Sequence, residues 1–270
     1  MIIWSPSSWS LWKQCPAKYR IKQVERWKFP RPQSDGVLSK LAIPGLVVDK
    51  LLQLWLHRKQ FEDNAWFKDN FEMIWSMVIA EISPTWSEEE SVLTKKETIL
   101  GLGNAVKMID SLEITKYRFI TQANFFERLN DDVAITGAAD LLLIEDARKT
   151  GILIDFKNNH SRPRVTKDQL LIYQLGLESK LFLDIERGGY LMYNPRLNSW
   201  KWFKLYPVHK QRMIEKLIQA SELVSKKEFD FRWNQFTCVR FCEVRFSCDL
   251  FQNYIKKPSY RSNNISEVKQ

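Results

Sequence analysis

The sequence lacks any run of apolar residues long enough to span a membrane. Its opening segment, Met1-Ile-Ile-Trp-Ser-Pro6, has neither the charged nor the apolar region of a secretion signal, which predicts a cytoplasmic protein. No Gly-x-x-x-x-Gly-Lys-Ser/Thr segment is present, so the chain is not expected to unwind duplexes by ATP hydrolysis. Internal repeats and low-complexity stretches are missing as well, which excludes solenoid architectures. Four cysteines in 270 residues are an ordinary number, and in a cytoplasmic chain they are not expected to form disulfides.

What is there fits a compact globular chain. At 44% hydrophobic residues the chain can bury a core, as one domain with a helical appendage or as two closely packed lobes. A formal charge of +9 favours a polyanionic partner, because each phosphate neutralised releases counterions.

Two acids stand where acids are costly. The apolar runs Ile135 to Ile144 and Gly151 to Lys157 read as neighbouring strands joined by the polar turn Glu145-Asp-Ala-Arg-Lys-Thr150, and they contain Asp140 and Asp155. A carboxylate in a buried strand stays charged only if it is paired or metal-bound. Residues two apart on a strand share a face, so Asp155 and Lys157 point together while Phe156 faces the core. Asp140, Asp155 and the Phe156 backbone carbonyl are hard oxygen ligands suited to Mg²⁺ or Mn²⁺, and Lys157 can orient a water or stabilise charge on a scissile phosphate. Val165 to Lys180 reads as a helix on the sheet, with Gln169 and Tyr173 four apart on one face.

In order, Gly137-Ala-Ala-Asp140, Asp155-Phe-Lys157 and Gln169-Leu-Leu-Ile-Tyr173 resemble the RecB-like branch of the PD-(D/E)XK nuclease superfamily. The resemblance implies an α/β, restriction-endonuclease-like mixed sheet flanked by helices. It also implies Asp140, Asp155, Lys157, Gln169 and Tyr173 as catalytic residues.

The cysteines are grouped: Cys238, Cys242 and Cys248 fall together, and Cys15 stands near the other end of the chain. Four thiolates could close on a [4Fe–4S] cluster or a structural zinc. The spacing Cys-x3-Cys-x5-Cys departs from the paired Cys-x2-Cys of zinc knuckles and points to iron–sulfur. The alternative is that all four are incidental small hydrophobes. Together with the nuclease motifs, this placement is similar to the iron–sulfur exonucleases represented by the CRISPR-associated Cas-four proteins, and phage-type members in particular. That likeness implies a structural cluster held by Cys15, Cys238, Cys242 and Cys248. One feature departs from it. Those families usually carry a histidine on an early helix as a metal ligand; here Asp49 holds that place, and His57 follows about 80° further around the helix.

Basic residues flank the acids. Arg162, Arg164 and Lys167 lead into the Gln-Tyr helix and are expected to contact DNA, and the cations around Trp200, Trp202 and Tyr206 make single-stranded DNA a plausible substrate. Most tryptophans are expected in the core. The expected organisation is a helical region over 1–113 with helices near 46–60, 68–82 and 87–111, then a nuclease core over 114–227. A cysteine segment over 228–255 and a disordered tail over 256–270 complete it. Within the core, strands are expected near 116–128, 132–144 and 151–158, then the Gln-Tyr helix, a hairpin near 188–206 and a helix near 207–226. The expected activity is a metal-dependent DNA exonuclease on single strands or ends, in recombination, repair or phage DNA processing, with recombination or replication proteins as possible partners. The alternatives are a catalytically silent nucleic-acid-binding protein and a structure-specific endonuclease on the same fold.

Overall fold

The computed structural model describes residues 1–25, 36–58, 64–158, 166–232, 234, 238, 242 and 244–256. They form two compact units, one of Met1–Ile3 with Ser34–Lys216 and the other of Trp4–Gln33 with Leu217–Gln270. Arg162, Arg164 and the tail beyond Lys256 lie outside the described residues.

The larger unit is built on a mixed sheet of β1 (Ile2–Trp4), β2 (Arg118–Arg128), β3 (Val133–Glu145), β4 (Thr150–Lys157), β5 (Asp184–Met192) and β6 (Ser199–Lys204). The order is β1-β3-β4-β5-β6, and β2 runs antiparallel along the other edge of β3. β3 and β4 form the expected antiparallel pair across the polar turn. From β4 the chain crosses through α6 (Asp168–Leu181) to β5, which lies parallel to β4, and β6 returns as the antiparallel partner of β5. A crossover helix is what a parallel neighbour requires.

Three helices precede the sheet: α3 (Gly36–Arg58), α4 (Asn64–Ile82) and α5 (Glu88–Asp110). α5 starts on a full capping box, with Ser87 and Glu90 each accepting the other's backbone N–H. The first of the three differs from expectation, which set its start near residue 46, just after Pro44-Gly45. The helix begins at Gly36 and carries Pro44 inside it. An interior proline sacrifices one helical hydrogen bond, but Ile43, Val47, Val48, Leu51 and Leu52 are all fully buried on either side of it, and that burial holds the helix through the proline. The same core takes Leu141, Leu143, Ile154 and Phe156 from the sheet, so the residues alternating with them face the opposite side, where α6 lies.

Helix α6 sits close on that side because Gly176 faces the Phe125 ring; a Cβ there would come within 2.0 Å of it. Helix α7 (Pro207–Ser225) follows β6.

The smaller unit has an aromatic core. Trp4 stacks on Tyr19 at 4.9 Å and meets Trp9 and Trp12 edge-on, while its indole N–H donates to Ser221 Oγ at 2.8 Å. Helix α1 (Pro6–Gln14) is capped by Ser5 and Ser8 with Pro6 in its first turn, and α2 (Pro16–Tyr19) follows at Cys15. The N-terminal segment is tied to the C-terminal one here. Ala17 N–H donates to Asp230 O at 3.3 Å, and Arg20 pairs at 3.3 Å with Asp249, the first residue of α8 (Asp249–Ile255).

Candidate metal centre

The acids sit where the central strands part. β3 and β4 pair from Glu145↔Thr150 to Leu141↔Ile154; the next pair in register would be Asp140 with Asp155. Instead of a ladder bond, the Asp140 carboxylate Oδ2 accepts the backbone N–H of Phe156 at 2.7 Å. The strands separate at the two acids, and the fork gives room for their side chains.

Asp155 is 1% exposed and is gripped from α6. The Gln169 amide donates to its Oδ1 at 2.6 Å and also to the Tyr173 hydroxyl at 2.7 Å, and Tyr173 in turn donates to the same Oδ1 at 3.3 Å. Tyr173 is itself held by an edge contact with Phe125, on the strand that α6 packs against. On the other carboxylate oxygen, Lys157 Nζ lies 2.5 Å from Oδ2. That short contact is a charge-assisted pairing in which the ammonium is the partner of Oδ2. The Lys157 ammonium also stands 5.6 Å over the ring of Tyr190, whose hydroxyl donates to Thr166 O at 2.8 Å just before α6.

Asp49, on α3, completes the group. Its Oδ1 is buried with no hydrogen-bond donor, an expensive state for a carboxylate. Burial, then the nearby Asp155 charge, raise its pKa to about 7, against the opposing pull of Lys157. Asp140 is raised for the same reasons: burial first, then Asp155 and Asp49, with the Phe156 N–H and Lys157 working the other way. Burial also raises Asp155, against Lys157 and Tyr173. Each acid hinders the ionisation of its neighbours.

Among the described residues, no group of three or more His, Cys, Asp or Glu stands arranged to hold a metal ion. The donor set nevertheless fits a hard divalent cation. Asp49 Oδ1 is a buried carboxylate oxygen lacking a donor, and the positive charge now on Asp155 Oδ2 is the Lys157 ammonium.

Other expected residues are distributed as follows. His57 lies on α3 and its Nε2 is 2.9 Å from Thr121 Oγ1. Lys167 occupies the position just before α6 and makes no side-chain capping bond there. The Trp202 ring is stacked by Trp200 at 4.8 Å and lies under the Arg187 guanidinium at 5.3 Å, while the residue remains partly exposed. Sequence reasoning missed Tyr190 and Tyr193. Tyr193 N–H donates to Lys157 O at 3.2 Å, and burial, then Asp49, Asp140 and Asp155, raise its phenol well above its ordinary pKa. Only the parallel pairing of β4 with β5 brings these tyrosines there.

All four cysteines belong to the smaller unit and carry free thiols. Burial pushes the Cys242 thiol up; the Val244 N–H and Lys18 on α2 oppose this, while Cys238 and Cys248 add to it. Among the described residues these cysteines do not stand arranged as a group that could hold a metal ion.

No curated protein matches the chain. Among solved structures, the crystal structure of SSO0001 aligns at 19% identity and a TM-score of 0.38, over 68% of this chain and 78% of that one. Residues 3–249 match the PD-(D/E)XK nuclease superfamily. The strand fork with its acids and lysine thus lies in a chain that belongs to the PD-(D/E)XK nuclease superfamily.

Proposed function

We propose that the chain is a metal-dependent DNA exonuclease acting on single strands or DNA ends, with Asp49, Asp140, Asp155 and the Phe156 carbonyl as ligands for Mg²⁺ or Mn²⁺. The observation that carries this reading is the convergence of buried Asp49, Asp140 and Asp155, with Asp49 Oδ1 lacking any donor and Lys157 paired to Asp155 Oδ2. A bound divalent ion supplies charge neutralisation at the scissile phosphate and a more acidic water. Asp155, fixed by Gln169 and Tyr173, keeps its carboxylate aimed into the fork. Lys157, standing over Tyr190, places a fixed positive charge beside it, where negative charge grows on the phosphate. Tyr173 holds its proton throughout, since its pKa is raised by burial and the Asp155 charge. The net charge of +9 and Lys167 at the start of α6 favour a nucleic-acid backbone, and Arg162 and Arg164 are proposed to extend that contact. Participation in recombination, repair or phage DNA processing follows from the likeness to RecB-like enzymes.

The free thiols of the smaller unit support a structural [4Fe–4S] cluster on Cys15, Cys238, Cys242 and Cys248, with structural zinc as the competing occupant. In that place it would fasten the two ends of the chain. Labelled linear and circular single-stranded DNA, each with and without Mg²⁺ or Mn²⁺, test the function. Metal-dependent loss of the linear substrate with the circle intact is expected; cutting of the circle would make the enzyme an endonuclease.

A further inference from the structure

Gln122 is a strand residue with φ 47°, in the left-handed region that glycine alone enters freely. It stands at the register position opposite Asp140. β2 and β3 pair at Thr121↔Leu141 and at Ala123↔Ala139, and the ladder is interrupted between them. At that break the Gln122 amide reaches Asp140 Oδ1, at the long distance of 3.5 Å, while Oδ2 of the same carboxylate takes the Phe156 N–H at 2.7 Å. Each carboxylate of the fork thus has a glutamine amide beside it from a neighbouring element: Gln169 on Asp155 and Gln122 on Asp140. A strained, side-chain-bearing residue held where glycine would be easier is what a functional constraint leaves behind.

We infer that Gln122 is a positioning residue for the metal centre, its amide fixing the plane of the Asp140 carboxylate. Donors that orient a ligating carboxylate strengthen the metal site without touching the ion. The inference rests on the metal-site reading above. It is separable from that reading because it predicts two opposite effects of one substitution.

The test uses the full chain and titrates Mn²⁺ calorimetrically into wild type, Gln122→Gly and Gln122→Ala, with a urea unfolding midpoint for each metal-free protein. Gln122→Gly relieves the backbone and removes the amide, so it should unfold at higher urea than wild type and bind Mn²⁺ about tenfold more weakly. Gln122→Ala keeps the strain and loses the amide, so it should weaken Mn²⁺ equally without the gain in midpoint. Wild-type Mn²⁺ affinity in Gln122→Gly would overturn the positioning role alone. Absence of Mn²⁺ binding in the wild type would overturn the metal-site reading and this inference with it.

Discussion

Phe156 N–H donates to Asp140 Oδ2 at 2.7 Å, a bond that replaces the ladder contact the two strands would make if they stayed paired. One acid of the fork is thereby fastened to the backbone next to the other. The carboxylates are held close in a buried place, and their mutual repulsion sets the first expectation.

Metal-free protein should lose stability as pH rises from about 5 to 8. Asp49 has its pKa raised to about 7, so between the unfolded value near 4 and that point the native state binds more protons than the unfolded one. Its contribution is complete below the unfolded pKa and is lost as pH rises through the folded one. A shift from 3.8 to about 7 corresponds to roughly 4 kcal/mol from this group. Mn²⁺, which binds the ionised acids, should flatten the trend. Thermal melts from pH 5 to 8 with and without Mn²⁺ measure both; metal-free stability that rises across this window would contradict the coupling of the acids.

Gly176→Ala should destabilise, although alanine favours a helix interior over glycine by about 1 kcal/mol. The added Cβ would meet the Phe125 ring within 2.0 Å, so α6 must lift from β2. A net loss of about 1–3 kcal/mol is expected from overpacking. Because α6 carries Gln169 and Tyr173, activity should fall further than stability. Urea melts beside cleavage rates show the sign.

Tyr173→Phe removes one of the donors to Asp155 Oδ1 while leaving the ring on Phe125. Loss of a hydrogen bond to a buried charged group predicts about 1–3 kcal/mol of weakened ground-state order. Cleavage should drop about tenfold or more, with Gln169 still holding the acid. Unchanged turnover would remove Tyr173 from the machinery.

Protein prepared without oxygen should be brown, and Cys242→Ala should lose the colour, the bound iron and much of its solubility. An ultraviolet–visible spectrum with metal analysis decides between occupants. Zinc in colourless wild-type protein would replace the cluster with a structural zinc.

The acids and lysine were legible because their signals are local. Buried strands show as apolar runs, an acid within one is conspicuous, and a spacing of two fixes Asp155 and Lys157 to one face. Gln169 and Tyr173 were legible for the same reason at helical spacing. The start of α3 was misread because Pro44-Gly45 looks like punctuation, and only the burial of Ile43 and Val47 around it shows why the helix continues. Gln122, Tyr190 and Tyr193 have no local signal at all. What they touch depends on which strand lies beside which, and in what register.

The central claim is that the fork holds a divalent ion which Asp155 and Lys157 put to use on DNA. It is tested most directly by Mn²⁺-dependent cleavage of labelled linear single-stranded DNA by wild type, Asp155→Ala and Lys157→Ala, each checked for folding by circular dichroism. Cleavage by the wild type alone, lost at least a hundredfold in both folded variants, is the predicted result. Full activity in both folded variants would contradict it.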